Sequence, residues 1–167
     1  MRISHTLRLS SVALCMCALF SSCDKIDENV IPDFPVQIVF TDVGMWHKYG
    51  IAGALDYRMF IRQTKQPEGF FYTATTYTGY GGVLLVGDIY SNPQAYDLSC
   101  PVERSPDIRV YIDNQSHQAV CPKCGSRFDV FENYGYPIQG PAAEKKFGLS
   151  RYNVYQGTGT NYMVIAR

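Results

Sequence analysis

The chain has 167 residues, with 15 Lys and Arg against 15 Asp and Glu, which is enough length for one buried core. The chain carries zero net charge, and no basic patch suggests nucleic acid and no acidic tail suggests a charged partner. The 13 Tyr and 9 Phe beside a single Trp, with 14 Gly and 9 Pro, favour strands and turns over helices.

Arg2 and Arg8 flank the start of an apolar run, Ser11 to Phe20, that ends in Phe20-Ser21-Ser22-Cys23. The run is too short to span a bilayer, and a Cys preceded by small residues is where export signals are lipidated and cut. Residues 1–22 therefore read as a lipoprotein signal peptide, which takes Cys15 and Cys17 with it. Cys23 is the lipidation site, which anchors the chain to the membrane without a transmembrane helix. Residues 23–35, from Cys23 through Asp24-Lys25-Ile26-Asp27-Glu28 to Pro32 and Pro35, read as the lipidated Cys and a solvated, flexible tether. Acidic residues just after such a Cys also resemble a surface-export signal of Bacteroidetes lipoproteins. The expected location is the cell envelope, lipid-anchored to the outer membrane on its periplasmic face or at the cell surface.

The domain is expected over 36–167. Val36 to Phe40 alternates as a first strand. Met45 to Gly50 reads as a loop, Leu55 to Arg62 as a strand or helical turn, Arg62 to Gly69 as a turn around Pro67, and Phe70 to Tyr77 as an aromatic- and Thr-rich strand. Val83-Leu84-Leu85-Val86 is a continuous apolar run, the pattern of a strand buried on both faces. Ser91 to Gln94 turns, and Ala95 to Ser99 leads into Cys100. Ile108 to Ile112 alternates, Asp113 to Ser116 turns, and His117 to Val120 leads into Cys121. Arg127 to Phe131, a turn at Asn133 to Gly135, and a Pro137 to Pro141 loop follow. A closing hairpin then pairs Leu149 to Tyr155 with Tyr162 to Ala166 around Gly157-Thr158-Gly159. Strands at short intervals with turn residues between them predict an all-β domain of packed antiparallel sheets.

Three cysteines lie in two Cys-Pro loops, Cys100-Pro101-Val102-Glu103 and Cys121-Pro122-Lys123-Cys124-Gly125-Ser126, and residues 24–167 contain no others. That confinement argues for a shared site over core filling. With Phe128-Asp129 after the second loop and Gly140-Pro141-Ala142 beyond it, the pattern resembles the Rieske iron-sulfur domain over roughly Gly82 to Ala166. More specifically, it is similar to Rieske-like lipoproteins of the Bacteroidetes that lack the His ligands. The resemblance implies a Rieske-like fold in which the two Cys-Pro loops converge at one tip. It also implies that Cys100 and Cys121 stand where the family's two cysteines bind one iron. Val102 and Cys124 occupy the two His positions, so the imidazoles for the second iron are missing. Ser126 matches the loop Ser that hydrogen-bonds a cluster sulfur, Phe128 stands where high-potential members have Tyr, and Gly140-Pro141-Ala142 matches the covering loop. The family's additional Cys, bridged to the first loop, is replaced by Lys123.

Several states of the site follow. An altered cluster or a mononuclear metal such as zinc would use Cys100, Cys121 and Cys124 with a fourth group, for which His117, Glu103 and the more distant His47 are the candidates. Without metal, the resemblance implies neighbouring sulfurs at Cys100 and Cys121 and hence a disulfide in an oxidising envelope. Pairing of Cys121 with Cys124 is the other arrangement. A thioredoxin-like role ranks lower, because Cys121-Pro122-Lys123-Cys124 runs into Gly-Ser and a strand instead of opening a helix. The sequence thus points to a membrane-anchored binding or structural module, not an enzyme by itself, with a degenerate cluster site and no bound cofactor. The alternative is a [2Fe-2S] electron-transfer protein. Trp46, His47 and Tyr49 are a further aromatic group that reads as core. The membrane, through Cys23, is the one partner the sequence identifies.

Overall fold

A computed structural model of the protein describes residues 25–159 and 161–167. The signal-like segment and Cys23 lie outside the described residues. Among the described residues no helix is long and apolar enough to cross a membrane.

The domain is all-β. Among the described residues eleven strands, all paired antiparallel, form two sheets. The larger comprises β1 (Val36–Phe40), β2 (Tyr57–Phe60), β3 (Tyr77–Thr78), β4 (Val83–Gly87), β5 (Pro93–Asp97), β10 (Arg151–Gln156) and β11 (Met163–Ala166). Its seven strands run in the order β2-β4-β5-β10-β11-β1-β3, and it is nearly closed. The smaller is a meander of β6 (Tyr111–Asp113), β7 (Gln118–Val120), β8 (Arg127–Asp129) and β9 (Tyr136–Gln139).

Period-two alternation explains the closure. Val36, Ile38 and Phe40 of β1, Phe60 of β2, Val83 and Leu85 of β4, Ala95 of β5, Tyr152 of β10 and Ile165 of β11 all face one apolar cluster, as successive side chains on a strand point to opposite faces. Phe40, Phe60 and Phe70 meet edge to face in it, with centroids 5.1 to 6.3 Å apart. The other face of β4 carries Leu84 and Val86 into a second cluster, shared with Ile112, Ala119 and Phe128 of the meander and with Cys100 and Cys121. The uninterrupted apolar run is therefore a strand sandwiched between two cores, and the thiols belong to the second of them.

Three elements differ from the sequence reading. Val43–Tyr49 is a short helix, α1, instead of a loop. Asp42 caps it by accepting from the Met45 backbone N–H at 2.8 Å, and Trp46 packs edge-on against Phe40. Phe70 to Tyr77 contributes only its last residue to a strand. Its aromatics are spent on the core, with Phe70 buried, while the Thr76 side chain accepts the Thr73 N–H at 3.1 Å and holds the backbone in a turn. The Pro137 to Pro141 segment supplies β9 and the start of a second short helix, α2 (Pro141–Lys145), with Pro at its first position, where a missing N–H costs nothing.

The segment read as a tether is held against the domain from Asp27 onward. The Asp27 N–H donates to the Lys146 carbonyl, and the Gly148 N–H donates to that of Asp27, each at 2.9 Å. The Glu28 carboxylate meets the Arg151 guanidinium at 2.8 Å, and Ile31 is buried. These partners lie more than 100 residues away in sequence, so local composition carries no trace of them.

A cluster of three thiols as the candidate site

Each Cys-Pro loop is closed by its own backbone. Val110 and Cys100 donate to the carbonyls of Leu98 and Ile108 at 2.8 and 3.0 Å, so the ends of the first loop are paired, and Arg104 donates to the Cys100 carbonyl at 2.9 Å. In the second loop Cys121 donates to the Ser126 carbonyl at 2.9 Å and Gly125 to the Cys121 carbonyl at 3.1 Å. Gly125 has φ of 70°, the left-handed region that glycine enters without penalty. The meander carries the second loop at one end of β7 and β8, and the extension of β5 carries the first. Packing of the meander on β4 and β5 brings the two together.

The sulfurs of Cys100, Cys121 and Cys124 all lie within 4.8 Å of one another. Cys100 and Cys124 are 3.6 Å apart, and none of the three is bridged. That contact joins the two loops through a pair distinct from both disulfide arrangements read from the sequence. Cys100 and Cys121 are buried, and Cys124 is partly exposed.

Ser126, fully buried, supports the cluster from beneath. Its hydroxyl lies 3.1 Å from the Cys124 sulfur and accepts the Ala142 N–H at 3.0 Å. Gly140 lets the segment before α2 approach, because a Cβ there would stand 3.1 Å from the Ser126 Cα. At the rim, the Lys123 ammonium and the Glu103 carboxylate join the two loops at 2.6 Å, and that hydrogen bond is the main reason the Lys123 pKa is raised.

The thiols are electrostatically unequal. Burial pushes the Cys100 thiol well above the ordinary value, with the neighbouring Cys121 adding to the shift. For Cys124 burial also acts upward. Hydrogen bonds from the Ser126 side chain and backbone and from the other two thiols outweigh it and lower the pKa. A depressed pKa means thiolate at lower pH, and the thiolate is the nucleophile. Alkylation of reduced, folded protein is therefore expected at Cys124 first, with a rate that levels off at a lower pH than for a free cysteine. Cys100 and Cys121 should stay unlabelled until the protein unfolds. Peptide mapping after brief iodoacetamide treatment checks this, and equal labelling of all three would contradict it.

The other candidates fall elsewhere. His117 sits in the turn before β7, with φ of 51°, at the end of that strand away from Cys121, and its ring lies near Phe131. His47 is on α1, beside the first core. Glu103 reaches the rim but is engaged by Lys123. Val102 is partly buried against the same apolar cluster as Cys124.

One supporting residue was not singled out from sequence. Asp97, at the end of β5, is fully buried and accepts backbone N–H groups from Tyr80 at 2.9 Å, Gly81 at 3.0 Å and Ser99 at 2.7 Å. The hydroxyls of Ser99 and Tyr152 donate to it as well. It thereby fixes the backbone one residue before Cys100. The available signal was a carboxylate placed between an apolar strand and Leu98.

Comparison with protein-family models and with curated proteins gives no match.

Proposed function

We propose that the chain is a cell-envelope lipoprotein, anchored in the outer membrane through lipidated Cys23. Its Rieske-like domain holds no [2Fe-2S] cluster and serves as a binding or structural module, not as an enzyme by itself. The observation that carries this reading is the composition of the site: three thiols meet there, Val102 fills one expected imidazole position, and the described His residues lie elsewhere. A Rieske centre holds its second iron by two neutral imidazoles. Replacing one with Val and the other with a thiolate leaves that iron short of a ligand and adds negative charge beside two buried sulfurs.

The convergence of two Cys-Pro loops, with Ser126 under one sulfur and the Gly140-Pro141-Ala142 segment over Ser126, supports the family resemblance. The Lys123–Glu103 ion pair joins the loops where the family resemblance implies a covalent bridge. The same convergence favours a second reading, an electron carrier with an altered [2Fe-2S] cluster. Absorption and paramagnetic resonance spectra of the anaerobically reduced protein separate the two. The proposal expects no iron-sulfur signal, and a cluster spectrum would replace it with the second reading. In an oxidising envelope without metal, two of the three thiols are expected to pair, involving Cys100 or Cys121 and transferring two electrons to a thiol-oxidising protein.

The anchor has its own test. Cys23→Ala is expected to shift the protein from the membrane fraction to the soluble fraction, because no described helix can hold a membrane. Unchanged fractionation would remove the lipoprotein assignment.

A further inference from the structure

We infer that Cys100, Cys121 and Cys124 form a three-thiolate site for a single zinc-class divalent ion, with the fourth coordination position left to a ligand from outside the chain. This deepens the cluster-free reading and rests on it. Tetrahedral zinc with Zn–S near 2.3 Å holds its sulfurs about 3.8 Å apart. Cys100 and Cys124 stand at 3.6 Å and all three sulfurs lie within 4.8 Å, so the site needs only a small adjustment. The loops that carry the sulfurs are closed by their own backbone bonds, which reduces the ordering left to the metal.

Thiolates select soft and borderline ions, whereas magnesium and calcium require oxygen ligands. Three thiolates around a divalent ion leave one net negative charge, with the Lys123 ammonium at the rim. A monovalent ion would leave two negative charges beside the two buried sulfurs, which is the costlier arrangement. Loading releases up to three thiol protons as three sulfur–metal bonds form, and no electron is transferred.

Ser126 is already committed to Ala142 and to the Cys124 sulfur, so it acts as an outer-shell support. Glu103 is paired with Lys123, and His117 is in the turn before β7 with its ring near Phe131. Three protein ligands with a fourth position free is the pattern of zinc sites that exchange ligands, in contrast to closed structural sites. Of the three thiols only Cys124 is partly exposed, so a water, small thiol or imidazole would enter from its side.

Cobalt(II) titration tests the inference, using the mature full chain reduced with a phosphine under inert gas. The expected result is one cobalt per chain with intense sulfur-to-cobalt charge-transfer bands and four-coordinate visible bands, both lost on adding one equivalent of zinc. Added imidazole or small thiol should change the visible bands at unchanged stoichiometry. Ser126→Ala should weaken zinc binding by about ten- to a hundredfold, and Cys124→Ala or Cys124→Ser by more, with circular dichroism confirming the fold. Absence of charge-transfer bands in folded wild-type protein overturns the site, and bands indifferent to both added ligands overturn the open position. Parallel incubation with iron and sulfide keeps the two readings distinct. Uptake of a cluster defeats the cluster-free reading, whereas failure of cobalt without cluster uptake defeats only the metal site.

Discussion

Replacing Asp97 with Ala is expected to destabilise the domain by about 4 kcal/mol or more, because it leaves three backbone N–H groups without their acceptor, and each orphaned buried group costs about 1–3 kcal/mol. The Gly81, Ser99 and Tyr152 positions that donate to it are buried, so water cannot readily replace the carboxylate. Gly81 also has no room to move, since even a Cβ on it would meet the Ser99 nitrogen at 2.5 Å. Asp97→Asn keeps one acceptor oxygen and should cost roughly half as much. Denaturant unfolding reads both variants. A second signature follows from geometry. With Ser99 released, the first loop loosens, and Cys100 should become alkylated in variant protein that is still folded. A loss below about 1 kcal/mol for Asp97→Ala, with Cys100 still protected, would show that the loop is held by other contacts.

The second large effect is a gain. If the loops have the geometry of the family they resemble, changing Val102→His and Cys124→His together restores two imidazoles opposite Cys100 and Cys121. Reconstitution with iron and sulfide should then give about two of each per chain and a Rieske-type spectrum, with the high potential that neutral ligands confer. Either single change should fail, since each leaves one ligand position wrong. Both positions are partly buried against the same apolar cluster, so the double variant has to be shown folded before it is reconstituted. A folded double variant that takes up no cluster would mean that the loops converge in some other geometry.

Much of this architecture could be read from the residues themselves. The Val83 to Val86 run announced a strand buried on both faces, and β4 does separate the two cores. The closing hairpin was marked by Gly157-Thr158-Gly159 between alternating segments. The gathering of three cysteines followed from their confinement to two similar loops. What escaped had non-local or sub-threshold causes. α1 is seven residues long, too short for a helical period to stand out, and its Asp42 cap is an isolated signal. Phe70 and Tyr72 carry strand propensity, yet their rings pack into the aromatic part of the first core, so tertiary packing overrides the local preference. The charged stretch around Asp27 looked solvated because its partners, Lys146, Gly148 and Arg151, come from the other end of the chain. His117 looked close to Cys121 in sequence, but it lies in the turn at the opposite end of β7, with its ring near Phe131.

The same logic separates the site from its surroundings. The thiol cluster draws on two loops that sequence could pair. The Asp97 network that positions one of them joins β5, the turn before β4 and β10, a combination visible only once the sheet order is known. The thiols are therefore marked by motif, and their placement is set by topology.

What the three sulfurs hold decides between the two readings most directly. Iron, zinc and acid-labile sulfide should be quantified in the mature protein purified without oxygen from cells grown with ample iron. The expected result is no sulfide and no stoichiometric iron, with up to one zinc per chain. About two iron and two sulfide per chain, with Cys100, Cys121 and Cys124 all protected from alkylation until the cluster is removed, would contradict it and establish an electron carrier instead.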